Sequence, residues 1–161
     1  MNTNDGFLYG AGNAKIGEIV NGTDKDGKRL KDSFLKKIPA LKKLGDAVKK
    51  AARRTYLKGW SGRRLHIRSP HSALNVLLQS LGGYISKVWM IEAHKAIKRE
   101  GLRCNQLGWV HDELQFECHP DDTERLAKLL EETATLAGEK MGLRMKIDAE
   151  AQIGDNWYDV H

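Results

Sequence analysis

Cysteine is scarce in this chain, and no apolar run approaches membrane length. The two cysteines, Cys104 and Cys118, build no disulfide framework and point to a reducing compartment. No signal peptide, transit peptide or spanning segment is recognisable, so the reading is a soluble, cytoplasmic protein with no membrane partner. Internal repeats and low-complexity tracts are missing too. Zinc spacing is also lacking: Cys104, His111, Cys118 and His119 match no zinc motif. Gly10, Gly12 and Gly17 fit neither G-x-G-x-x-G nor the Walker pattern, and no strand precedes them. That excludes a phosphate loop.

What is there belongs to a folded chain. Its 161 residues suffice for one domain of ordinary size, and 40% hydrophobic residues are too many for disorder. The net charge of +6 suits a polyanionic partner. Residues 6 to 21 read as a short helix with a glycine-rich break. Leu30, Phe34, Leu35 and Ile38 sit at helical spacing; Pro39 then restarts the helix at its first turn. Leu41, Leu44, Val48 and Ala51 continue the apolar stripe, and Lys42, Lys43, Lys49, Lys50, Arg53 and Arg54 cover the other faces. Tyr56-Leu57-Lys58 and Arg64-Leu65-His66-Ile67 flank Gly59-Trp60-Ser61-Gly62 and read as a hairpin.

Ser69-Pro70 supplies an N-cap with proline at the first helical position. The long helix it opens carries an apolar stripe of Leu74, Leu77, Leu78, Leu81, Ile85, Val88 and Trp89, and Gly101 stops it. A third amphipathic helix, capped near Asp121 or Asp122, turns Leu126, Leu129, Leu130, Leu136 and Met141 inward and stops at Gly142. Leu143, Met145, Ile147, Ala149 and Ala151 alternate with polar residues and predict a last strand. Helices on one face of a small antiparallel sheet make an α+β fold.

The chemistry concentrates in Leu107-Gly108-Trp109-Val110-His111-Asp112-Glu113-Leu114-Gln115-Phe116. Two apolar strands flank adjacent carboxylates, which a tight hairpin holds at a sheet edge. Carboxylate oxygens are the ligands that magnesium prefers. A second constellation is His71, Asn75 and Gln79. Their i, i+4, i+8 spacing makes a polar row over roughly 12 Å of helix. That length covers about three to four base pairs at roughly 3.4 Å each. Minor-groove acceptors lie at nearly the same place in every pair, so a row of donors senses pair shape without reading sequence.

Trp109 to Gln115 resembles motif C of the family A DNA polymerases, the bacterial polymerase I type, and most of all their phage replicative branch. Gly62 to Ser80 resembles the palm segment that precedes motif C in that branch. Phe7-Leu8-Tyr9-Gly10-Ala11-Gly12 resembles the end of motif B, and Gly154-Asp155-Asn156-Trp157 the family's last residues. The four segments stand in the family's order and cover the chain from about Gly6 to His161. No counterpart of the motif A aspartate is recognisable, nor of the arginine and lysine that open motif B.

The resemblance implies the C-terminal part of a polymerase. Residues 1–5 match nothing, 6–55 would be the C-terminal part of the fingers, and 56–161 the palm. Asp112 would be a direct metal ligand, shared with the missing aspartate, and Glu113 a ligand or supporting group in a two-Mg2+ site. His111 would contact the primer terminus; His71, Asn75 and Gln79 the minor groove. Tyr9 would lie beside the nascent pair, and Arg68 among the DNA contacts. Primer–template DNA, a dNTP and an N-terminal polymerase chain are the implied partners, with activity only in that assembly. The cytoplasm would be a host cell's for a phage-encoded chain. The competing reading is a non-catalytic DNA-binding module derived from a polymerase.

Overall fold

A computed structural model describes residues 11–160. The chain divides into two compact units, Met1–Leu81 and Gly82–His161.

In the first unit, α1 (Asn13–Ile19) and α2 (Asp24–Lys37) form a tight helical hairpin. Thr23 starts α2 with a capping box: its Oγ1 accepts from the Asp26 backbone N–H, while the Asp26 carboxylate accepts from the Thr23 N–H. The helices meet through glycine. A Cβ on Gly27 would stand 2.0 Å from the Asn13 carbonyl oxygen, and one on Gly17 2.3 Å from that of Thr23. Lys31 Nζ donates to the Ala11 carbonyl at 3.1 Å. α3 (Pro39–Ala52) follows, with Pro39 at the start of its first turn as expected. Here proline costs nothing, because the first helical N–H groups lack intrahelical partners.

β1 (Tyr56–Lys58) pairs antiparallel with β2 (Arg64–His66), joined through the expected Gly-Trp-Ser-Gly turn. Leu57, Ile67, Val48, Ala52 and Ala73 form the buried core of this unit, with Leu65, Leu74, Val76 and Leu77 packed against them. The stripe Leu41, Leu44, Val48 and Ala51 is buried only towards its end; Leu44 stays 40% exposed.

Ser69 caps a 3-10 turn at Pro70–Ser72, its Oγ accepting from the His71 N–H at 3.3 Å. α4 then runs from Ala73 to Glu100. Gly101, at φ +69, ends it, and the Leu102 N–H reaches back to the Ile97 carbonyl.

In the second unit, β3 (Cys104–Val110) and β4 (Glu113–Cys118) form an antiparallel hairpin, followed by a 3-10 turn at Pro120–Asp122 and α5 (Thr123–Lys140). The second half of α4 is tied to α5 by polar links, some part-buried and some exposed. Ala93, Ala96, Leu126, Leu129, Ala134 and Ala137 are buried. The Trp89 indole donates to the Leu130 carbonyl at 2.9 Å. Glu92, nearly buried, accepts from Lys140 at 2.6 Å and from Lys95 at 3.0 Å, and these cations hold its carboxyl below the usual range. Arg125 grips Glu100 with two bonds of 2.6 Å.

Two expectations fail here. Leu136 is 36% exposed instead of inward. The buried face of α5 runs through Thr133, Ala134, Ala137 and Gly138, one step around the helix from Leu136. The alternating segment 143–151 is no strand. It follows α5: Thr135 Oγ1 donates to the Ile147 carbonyl at 3.0 Å, and the Ala151 N–H donates to Glu131 at 3.1 Å. Alternation alone does not make a strand; a ladder needs a neighbour with free N–H and C=O groups, and among the described residues α5 supplies the partners instead.

The glycine contact gives a direct test. Gly27→Ala should destabilise the chain by about 1–3 kcal/mol in urea unfolding, because backbone cannot yield as a side chain tip does. Gly45→Ala, inside α3 with nothing within 4 Å of the new Cβ, should instead gain up to about 1 kcal/mol. Equal effects of the two would remove the packing argument.

A second test concerns pH. Arg103 donates from Nε to Asp122 at 2.8 Å and from its backbone N–H to the same oxygen at 3.0 Å, holding the Asp122 carboxyl down to about 2. A lowered carboxylate stabilises the fold above its ordinary value of 3.8 and loses that contribution as pH falls towards about 2. Acid titrations should therefore lose a stability slope in this window for Asp122→Asn. A variant with the wild-type slope would place the acid sensitivity elsewhere.

Candidate active-site hairpin

The β3–β4 ladder sets where the acidic residues stand. Val110 pairs with Glu113, so only His111 and Asp112 form the turn. A two-residue turn needs positive φ at its first central residue, or at both. His111 supplies it at φ 54, a conformation that costs energy in any residue but glycine. The Trp109 indole donates to the His111 carbonyl at 2.7 Å and fixes the turn from within the strand.

Trp109 gets there by way of a bulge. The register runs Gln106 with Phe116, then Gly108 with Gln115, leaving Leu107 unpaired. One extra residue reverses the in–out alternation beyond it. Trp109 and Leu114 therefore share the face of Gln106 and Phe116. Leu107 is thrown outward, at 65% exposure. Lys87 Nζ lies 5.6 Å from the centroid of the Trp109 ring, a cation–π contact from α4.

His111, Asp112 and Glu113 are all exposed. Glu113 opens β4, and Asp112 sits in the turn before it, so the tip offers two adjacent carboxylates to solvent. Their oxygens are of the hard type that Mg2+ takes, and Mg2+ is commonly held by one or two carboxylates together with substrate phosphates and water. The donor set fits such an ion in kind. No group of three or more His, Cys, Asp or Glu side chains able to hold a metal occurs among the described residues.

The second constellation lies in the first unit. Asn75 and Gln79 stand one turn apart on α4, while His71 belongs to the 3-10 turn ahead of it. The row thus begins on a tighter helix than its spacing implied, because Ser69 and Pro70 shape the entry as a 3-10 turn. His71, Gln79 and Arg68 are exposed; Asn75 is half-buried, and its Oδ1 is enclosed without a hydrogen-bond partner. Tyr9 lies outside the described residues.

Sequence reasoning passed over two features. One is the indole clamp of Trp109; the signal was an aromatic two residues before the turn, next to the small Gly108. The other is Gln115, whose Nε2 is buried without a partner and whose Oε1 would lie 3.3 Å from a Cβ on Gly108. Nothing in its sequence setting marks it.

With the hairpin in place, the relatives can be set beside it. A family model for DNA polymerase family A matches residues 2–159. The chain is 37% identical to the DNA-directed DNA polymerase of Enterobacteria phage T3, over 97% of this chain and 25% of that protein, and equally to that of Escherichia phage T7. It is 26% identical to DNA polymerase I of Aquifex aeolicus, over 96% of this chain and 28% of that one. Among solved structures it resembles the POL domain of Pol1 from M. smegmatis, in complex with DNA primer-template and dNTP. The TM-score is 0.74 at 26% identity, covering 83% of this chain and 26% of that one. The chain spans about a quarter of the length of the curated relatives it matches. A match over nearly every residue places this chain in DNA polymerase family A.

Proposed function

We propose that this chain is the C-terminal palm and fingers part of a template-directed DNA polymerase, with residues 6–55 in the fingers and 56–161 in the palm. The observation that carries this reading is the two-residue turn that holds Asp112 beside Glu113 at the tip of β3–β4, within a chain of this family.

The reaction is an in-line attack of a primer 3′ hydroxyl on the α-phosphate of a dNTP, with pyrophosphate leaving. Asp112 and Glu113 would hold Mg2+, Asp112 as the direct ligand. Such ions, when bound, neutralise charge on the attacking and leaving oxygens. His111 stands beside them with its backbone fixed by Trp109, ready to meet the primer-terminal phosphate. Exposed Arg68 would contact a phosphate backbone, and Tyr9, by the motif B resemblance, would lie against the nascent pair. Gln79 and His71 would donate into the minor groove. Asn75 would do so through its amide Nδ2, after leaving its half-buried position.

Two carboxylates do not complete a two-metal site, so extension would require an N-terminal chain that brings the motif A aspartate and the basic start of motif B. A DNA-binding module without catalysis is the competing reading. Carboxylates at the tip argue against it, since near phosphates they only repel.

The test is primer extension with the purified chain, with and without such an N-terminal chain. Extension should need both. Asp112→Asn in the assembly should abolish it while duplex binding holds or tightens, because the change removes a ligand and a negative charge together. Unimpaired extension by Asp112→Asn would remove Asp112 as the metal ligand, and no extension by a wild-type assembly that still binds duplex would favour the binding module.

Gln79→Ala and Asn75→Ala should slow extension and make it more sensitive to mismatches near the primer end. Each loses a hydrogen bond worth on the order of 1 kcal/mol. Melting should barely move for exposed Gln79. A large drop in melting temperature with normal extension would make the polar row a packing feature.

A further inference from the structure

The register that fixes the hairpin also sets its two cysteines face to face. Cys104, the first residue of β3, pairs with Cys118, the last of β4. Neither is in a disulfide, and both are half-buried. The adjoining pair carries the ladder bond: the His119 N–H donates to the Arg103 carbonyl at 2.9 Å. The Cys104 N–H turns back to the Leu102 carbonyl at 3.1 Å instead of crossing to Cys118. Hydrogen-bonded and non-hydrogen-bonded pairs alternate in an antiparallel ladder, so Cys104 and Cys118 form a non-hydrogen-bonded pair. Such pairs bring Cα atoms to about 4.5 Å, within the span that a disulfide bridges. A shallow groove lined by Arg103, Cys104, Asn105, Glu117, Cys118 and His119 opens the pair to solvent.

We propose that Cys104 and Cys118 are a redox modification site, which a small-molecule disulfide oxidises to a cross-strand disulfide that clamps the base of the β3–β4 hairpin. The reaction balances in two exchanges. The Cys118 sulfur attacks one sulfur of the oxidant and expels one molecule of reduced thiol. The Cys104 sulfur then attacks the mixed disulfide on Cys118 and expels the second. Two protein S–H bonds give one S–S bond, and the oxidant's S–S bond becomes two S–H bonds. The order follows from the surroundings. Burial pushes the Cys104 thiol up, and the Cys118 sulfur beside it adds to this, so Cys104 rests protonated. In a reducing cell the pair rests as thiols, and thiol reductants reverse the bond.

The clamp acts on the ladder that carries Asp112 and Glu113. It ties the two strand ends on the far side of the Leu107 bulge from the acidic turn. The register through the bulge then holds even when the ladder opens transiently.

The experiment incubates the reduced full chain with glutathione disulfide and maps peptides by mass spectrometry without reduction. The expected main product is a Cys104–Cys118 linked peptide in a monomeric chain. Cys104→Ser should trap glutathione on Cys118, because the resolving thiol is gone. Hydrogen exchange of the β3 and β4 amides should slow several-fold on oxidation and recover with dithiothreitol. Stable glutathione adducts on wild-type cysteines, inter-chain dimers, or unreacted thiols would each overturn the pairing. A linked peptide with unchanged exchange would overturn the clamp. The wild-type chain decides, whatever the stability of the variant.

Discussion

The hydrogen bond from the Trp109 indole to the His111 carbonyl is the constraint on which the acidic tip depends. A histidine at positive φ pays a conformational cost, and a surface turn has few contacts to offset it. The indole offsets it locally, 2.7 Å from the strained residue's own carbonyl. It can do so only because the bulge at Leu107 turns Trp109 to the right face. Lys87 then lies over its ring. Strand register, bulge, indole and turn form one chain of dependence that ends on two carboxylates.

Much of this was legible in the residues, for reasons that differ by element. Pro39 and Ser69-Pro70 mark helix starts because proline lacks an N–H and fixes φ, a local rule that tertiary packing does not override. The glycines at 101 and 142 mark helix ends for a similar reason, both at positive φ. The hairpin that carries Asp112 and Glu113 followed from two apolar runs flanking adjacent carboxylates, while the His111-Asp112 turn itself came from the strand register. The family followed from ordered motifs. What escaped notice depends on partners distant in sequence. The fate of 143–151 turned on α5 being closer than any strand. The facing of Gly17 and Gly27 requires knowing that α1 and α2 touch there, which no local pattern states.

The two units rely on different means of packing. The first has a small apolar core where α3, the β1–β2 hairpin and the start of α4 meet. The second buries alanines and leucines of its helices and ties these helices with charge pairs, nearly buried Glu92 with Lys140 and the more exposed Glu100 with Arg125. Truncating Lys140 or Lys95 would weaken the hold on the nearly buried Glu92 carboxylate. α4 contributes to both units, and its buried face changes along its length accordingly.

The segment after α5 differs in kind from the joint between α1 and α2. Leu143 bonds back to Gly138, Ile147 meets Thr135, and Ala151 meets Glu131. Each step of four residues along the segment, roughly 13 Å when extended, answers only three or four residues of helix, roughly 5–6 Å. Between Leu143 and Ile147 the chain has more length than path and spends the surplus in bends at Arg144 and Met145. This is a fastening with slack. Re-bending between its anchor points would absorb a lost or added residue. The glycine joint has no clearance at all, and there a single carbon atom is already too much.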